Sequence, residues 1–252
     1  MSTARTIEIL PDLAEVVTRS RDLIVERLQQ AISERGIATI ALSGGSTPKP
    51  LYEQLATESL PWEQIHLFWG DERYVPYDHP DSNYRMVKQA WIDRVPLPSE
   101  NIHPMPTQLA DPVDAAIQHE ADLRIFFKTR FANAKPAEWP ALDVILLGMG
   151  DDAHTASLFP GTTALQVHDR WITVGEKSGQ PRLTFTVPMI NAARSVIFML
   201  AGANKQAALQ QVFAAQADDL MYPSRLIQPQ GELWWVMDQA AAVGLPEGIS
   251  LT

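Results

Sequence analysis

Apolar residues recur every three or four positions at Leu13, Val16, Val17, Ile24, Leu28 and Ile32, which predicts an amphipathic helix opened by Asp12 and stopped at Gly36. A short strand, Thr6–Leu10, precedes it. Ile37–Leu42 (IATIAL), Ile65–Trp69 (IHLFW) and Leu142–Leu147 (LDVILL) are instead continuous apolar runs of buried-strand length. Each runs into glycine and polar residues. After Ser43–Thr47, Pro48 is expected in the first turn of a helix capped by Thr47. After Gly70–Arg73, a helix is expected from Asn83 to Arg94, capped by Asp81 or Ser82. A third helix, capped by Asp111 with Pro112 at its first position, carries Ile117, Leu123, Phe126, Phe127 and Phe131 and runs to about Phe131. Further strands are expected at Trp171–Val174, Leu183–Val187, Val196–Ala201 and Leu233–Met237, with a helix over Ala203–Ala217. Asn133–Pro140 and Gly175–Arg182 read as loops.

Repeated alternation of apolar strands with helices predicts an α/β fold: a mostly parallel sheet with helices on both faces. The chain has 252 residues, 46% of them hydrophobic, and no composition shift or repeat, so residues 1–252 are expected to form one domain. The formal net charge of −10 argues against a broad hold on nucleic acid or anionic lipid, so any anionic ligand must be gripped by a local cluster of cations. The absence of cysteine excludes disulfides, thiolate metal sites and cysteine nucleophiles. Charges at Arg5, Glu8, Asp12, Glu15 and Arg19 interrupt any signal-peptide core, and no apolar run is long enough to span a bilayer. A cytoplasmic protein without membrane partners is expected. With no exposed heptad visible, a monomer is expected too.

In an open α/β sheet, ligands bind beyond the carboxyl ends of the strands. That rule selects Ser43–Thr47, Gly70–Arg73, Gly148–Thr155 and Gly202–Lys205, which should converge at one rim. Ser43, Gly44, Gly45, Ser46 and Thr47 offer backbone amides to an anion or a developing oxyanion, although a tight helix-capping turn uses the same residues and the Walker spacing is missing. Asp71 and Arg73 could hold and orient a phosphate, or form a solvated charge cluster. Lys205 and Arg182 are further cation candidates. Of the six histidines, only His154 follows a Gly-x-Gly turn at a strand's carboxyl end, where it could take or give a proton near neutral pH. Asp152 could fix its tautomer. Asp151, Asp152 and His154 could also ligate a metal, but without a recognisable ligand spacing no metal or cofactor is expected. Ser43 and Ser46 lack the nucleophile-elbow pattern, and Thr155–Ser157 read as helix-capping hydroxyls.

Together these segments resemble the 6-phosphogluconolactonase family of the pentose phosphate pathway. The matching stretches are Ser43–Pro48 (SGGSTP), Asp71–Pro76 (DERYVP) with Ser82-Asn83-Tyr84, Gly148–Gly161 (GMGDDAHTASLFPG), Arg182-Leu183-Thr184 and Gly202–Lys205, covering nearly the whole chain in order. The resemblance implies a modified Rossmann-like fold of the phosphosugar isomerase/CoA transferase type, shared with glucosamine-6-phosphate deaminases and ribose-5-phosphate isomerases. It implies metal-free hydrolysis of a small phosphosugar lactone, 6-phospho-D-glucono-1,5-lactone, with His154 as general base, Asp152 supporting it, and Arg73, Lys205 and Arg182 on the phosphate. A phosphosugar deaminase or isomerase, or a non-catalytic phosphosugar-binding protein, are the alternatives. One departure stands out: Ala153 replaces the glycine usual in the family before the histidine. If that position needs positive φ, alanine costs on the order of 1 kcal/mol.

Overall fold

The computed structural model describes residues 5–131, 139–246 and 249. In chain order the first half contains β1 (Arg5–Leu10), α1 (Leu13–Arg35), β2 (Ala38–Leu42), α2 (Lys49–Leu55), β3 (Ile65–Trp69), β4 (Asp71–Arg73), α3 (Asn83–Ala90), β5 (Ile102–His103) and α4 (Pro112–Arg130). The second half contains β6 (Val144–Leu147), β7 (Ile172–Lys177), β8 (Gln180–Phe185), α5 (Val187–Asn191), β9 (Ser195–Leu200), α6 (Gln206–Val212), β10 (Glu232–Asp238) and α7 (Gln239–Ala242).

Seven strands form a parallel sheet in the order β1-β10-β9-β6-β2-β3-β5. Side chains alternate between the faces of a strand, so His66 and Phe68 of β3 share one face and Trp69 lies on the other. Phe126 of α4 packs against His66 and Phe68, whereas Tyr84 of α3 packs against Trp69. Helices therefore cover both faces. The strands β2, β3, β6 and β9 at the centre are buried along their whole length, as their unbroken apolar sequences require.

The local signals at helix ends work as expected where a side chain caps a free amide. Asp12 accepts from Glu15 N, Ser82 from Arg85 N, and Asp111 from Val113 N and Asp114 N, while Gly36 closes α1 at φ 74. Elsewhere the structure differs. Pro48, not Thr47, occupies the cap position of α2, no side chain caps it, and the helix begins at Lys49. The helix expected to reach Arg94 ends at Ala90 and gives way to a 3-10 turn at Ile92–Arg94, and the one over Ala203–Ala217 is a 3-10 turn at Ala203–Lys205 followed by the short α6. Ile117 faces solvent rather than the core. Of the expected loop Asn133–Pro140, only Trp139 and Pro140 lie among the described residues.

The largest correction concerns Gly70–Arg73, expected as a post-strand loop, and Gly175–Arg182, read as a loop. Asp71–Arg73 is β4 and residues 175–182 run through the turn from β7 to β8, in a separate antiparallel sheet, β4-β8-β7. β7 and β8 form a hairpin, with Lys177 paired to Gln180 across Ser178 and Gly179, both at positive φ as a tight two-residue hairpin requires. This small sheet lies at the carboxyl end of β3, where Phe185 N donates to Gly70 O at 2.8 Å.

Candidate active site

Four neighbouring strands of the main sheet, β9, β6, β2 and β3, release their chains at one rim. The loops after them surround a cleft of about 270 Å³, and β4 and β8 close one side. Ser43, Gly44, Gly45, Ser46, Thr47, Asp71, Arg73, His154, Arg182 and Lys205 all line it, whereas Asp151 and Asp152 do not.

The glycine loop is pinned at its start. The buried Tyr52 hydroxyl of α2 accepts from Ser43 N at 3.0 Å and donates to Ser43 O at 2.7 Å. Gly44 must be glycine, because a Cβ there would sit 1.8 Å from Asn83 Oδ1. The amides of Gly44 and Gly45 donate to no partner among the described residues, so they remain available to a ligand.

On the opposite wall, His154 Nδ1 lies 2.5 Å from Asp152 Oδ1, which also accepts from His154 N at 3.1 Å. Burial works to raise the Asp152 carboxyl, but the hydrogen bonds and charge of His154, helped by Lys177, outweigh it and bring it down to about 2. Asp152 is therefore a carboxylate that fixes the proton on Nδ1 and leaves Nε2 as the acceptor. A tight turn holds the pair, with Gly150 N donating to His154 O at 2.8 Å and Ala153 N to Gly150 O at 3.2 Å. Ala153 does adopt positive φ, at 64°. Its carbonyl accepts from Ser224 N at 3.0 Å and Ser224 Oγ at 2.8 Å, which anchors the turn.

Arg73 and Arg182 are cross-strand partners in the β4–β8 pair. Directly opposed like charges repel, and the Nε of each is buried with no acceptor among the described residues. Burial, the largest influence, lowers the pKa of Arg182. Burial also lowers Lys205 across the cleft, against the pull of Asp151 and Asp152. Three cations thus face one cavity in an acidic protein, an arrangement that a bound dianion relieves. Arg182 is within β8 rather than ahead of a strand, and Lys205 ends the 3-10 turn before α6. Asp71 is buried, and its Oδ2 accepts from Ser157 Oγ at 2.6 Å. Ser157 therefore braces Asp71 instead of capping a helix, and Thr155 Oγ1 donates to Gly148 O at 2.8 Å.

Three supporting residues were not singled out from sequence. Glu72 accepts from the amides of Arg73, Asn83 and Tyr84 at 2.7–2.8 Å, tying α3 to β4; burial pushes it up to about 7 against those donors. Asn83 is buried in the cleft wall with Nδ2 donating to Asp71 O at 2.9 Å and Oδ1 unpartnered among the described residues. Its sequence signals are its place after a helix-capping Ser82 and the family-like stretch Ser82-Asn83-Tyr84, neither of which gave it a role. The Phe159 ring lies 4.6 Å from the His154 ring, with the Arg182 guanidinium 5.5 Å and Lys177 Nζ 5.3 Å from its centre. Among the described residues, no group of three or more His, Asp or Glu side chains is placed to hold a metal ion, and no helix is long and apolar enough to cross a membrane.

Comparison with known proteins identifies the family. The model of the glucosamine-6-phosphate isomerase/6-phosphogluconolactonase family matches residues 11–235. The chain is 62% identical to a 6-phosphogluconolactonase from Nostoc sp., covering 96% of this chain and 98% of that protein, and 57% identical to one from Synechocystis sp., covering 96% and 99%. Among solved structures, the 6-phosphogluconolactonase from Trypanosoma cruzi superimposes with a TM-score of 0.82 at 28% identity, covering 96% of this chain and 97% of that one. That from Trypanosoma brucei gives 0.81 at 29%, covering 97% and 100%. The chain belongs to the glucosamine-6-phosphate isomerase/6-phosphogluconolactonase family.

Proposed function

We propose that this protein is a lactonase that hydrolyses 6-phospho-D-glucono-1,5-lactone to 6-phospho-D-gluconate. The observation that carries the reading is the facing pair Arg73 and Arg182, each with a free buried Nε, in the same cleft as a carboxylate-oriented histidine. The arginines and Lys205 grip the phosphate and so fix the far end of the sugar, which makes the attack on the lactone effectively intramolecular.

His154 Nε2 takes a proton from water as its oxygen bonds to C1. The carbonyl electrons move onto the exocyclic oxygen, facing the free amides of Gly44 and Gly45. The oxyanion collapses, the bond from C1 to the ring oxygen breaks, and the imidazolium returns its proton to that oxygen. Asp152 stabilises the imidazolium between the two transfers. No covalent intermediate forms and no step calls on a metal. General acid–base catalysis of about 10²–10⁴-fold, added to positioning, suffices for a strained ester that already opens in water.

The substrate is a small molecule, the setting is the cytoplasm, and the reaction that supplies it is the oxidation of a hexose phosphate at C1. A side-by-side assay of 6-phosphogluconolactone, glucosamine 6-phosphate and ribose 5-phosphate tests the reading. Turnover of the lactone alone is expected; turnover of glucosamine 6-phosphate or ribose 5-phosphate without lactone hydrolysis overturns it.

A further inference from the structure

The outer face of α4 carries Val113, Ile117 and Ile125 at 50%, 58% and 65% exposure, with Ala121 completing the i, i+4 series between them. The inner face is already filled by Ala115, His119 and Leu123. A surface helix normally presents polar residues at such positions. Charge along the helix is acidic at its start, with Asp111 and Asp114 exposed, and basic in its last turn, with Lys128 and Arg130 exposed; between them Arg124 pairs with Glu120 at 2.6 Å and Asp122 is exposed.

We propose that this face is a self-association surface, where α4 packs antiparallel on α4 of a second copy of the chain about a two-fold axis at Ala121. Laid antiparallel about that residue, Ile117 comes level with Ile125 of the other copy, and Asp114 with Lys128. The same two contacts recur on the other side of the axis, as an isologous interface requires. The acidic start of one helix meets the basic end of the other, and the opposed dipoles favour the same arrangement. Alanine at the crossing lets the axes approach closely. The groove beside it is lined by Ile117, Ala121 and Ile172 together with the charged Glu120, Arg124, Asp169 and Arg170. A parallel arrangement would instead set Asp114 on Asp114 and Lys128 on Lys128. The monomer expected from sequence rested on the lack of an exposed heptad, and a stripe on a single helix is not a heptad pattern.

The chain has no cysteine, so Ala121→Cys introduces its only thiol. With helix axes about 9–10 Å apart and Cα atoms about 2.3 Å off each axis, the two Cα atoms come about 4.4–5.4 Å apart, within disulfide range. Under mild oxidation this protein should form a covalent dimer at least about tenfold faster than Gln29→Cys, an exposed control on α1. Sedimentation of the wild-type protein should show dimers at about 100 μM. Asp114→Lys and Lys128→Asp should each weaken association about tenfold, and the double exchange should restore it. Equal crosslinking of the two thiols with a monomer at that concentration overturns the proposal. Dimers indifferent to both charge changes overturn it equally, because they would form through another face.

Discussion

Gly150→Ala isolates the part played by the His154–Asp152 pair. The backbone of Gly150 is not in the left-handed region, so alanine is conformationally allowed there and any damage comes from contact alone. The added Cβ would lie 2.1 Å from His154 Nδ1 and 2.5 Å from Asp152 Oδ1. Neither contact is tolerable, and the imidazole cannot keep its 2.5 Å bond to Asp152 while moving aside. Misplacement of a catalytic group by about 1 Å costs about 10²-fold, and loss of its general-base role up to about 10⁴-fold. The expected fall in kcat/KM is therefore about 10²–10⁴-fold, a barrier increase of roughly 3–5 kcal/mol. Lactone hydrolysis followed by acid release, with the spontaneous rate subtracted, measures it. The loss should fall on kcat while KM changes little, because the cations proposed to hold the phosphate are untouched. A folded Gly150→Ala protein with wild-type kcat/KM would refute the assigned role of the pair.

Arg182→Gln should raise KM about 10–100-fold, a loss of about 1.5–3 kcal/mol for a charged hydrogen bond, yet leave the free protein as stable or slightly more so because the opposed arginine charges are relieved; a calorimetric scan with and without inorganic phosphate separates the two effects. Phe159→Leu removes the ring that contacts both His154 and Arg182, and steady-state kinetics should show kcat falling and KM rising, each by about 3–30-fold. Burial first, and then nearby positive charge, hold the His66 and His103 pKa values down at about 4 and His119 at about 3, all below the ordinary value. The unfolded chain takes up protons near pH 6.5 that the fold refuses, so stability is full above that pH and declines as pH falls toward 4. Melting temperatures against pH should show this slope, and His119→Leu should flatten it.

Legibility in the sequence followed the range of the interaction. Asp12 and Gly36 around α1, and Asp111 with Pro112 at α4, are local signals, and both helices begin where those residues place them. The loops after β2, β3, β6 and β9 were recognisable because strand ends fix where a parallel sheet binds ligands, and these strands are neighbours. The small sheet was not recognisable. Asp71–Arg73 is three residues of mixed charge that become a strand only by pairing with residues 182–184, more than a hundred positions away. The opposition of Arg73 and Arg182 was hidden for the same reason. The Ser178-Gly179 pair was a readable hairpin signal, masked by the polar residues around it. Ile117 shows the limit of periodicity: it fits the helical repeat, but the core had already taken the other face.

The central claim is that His154 drives lactone hydrolysis in this cleft. The most direct test compares acid release from freshly made 6-phosphogluconolactone by the wild-type protein and by His154→Ala, each corrected for spontaneous opening and each checked for phosphate-induced thermal stabilisation. The account predicts rapid hydrolysis by the wild type and a loss of at least about 10²-fold in the variant, with phosphate binding retained. Full activity in a His154→Ala protein, or no acceleration by the wild type over the spontaneous rate, would contradict it.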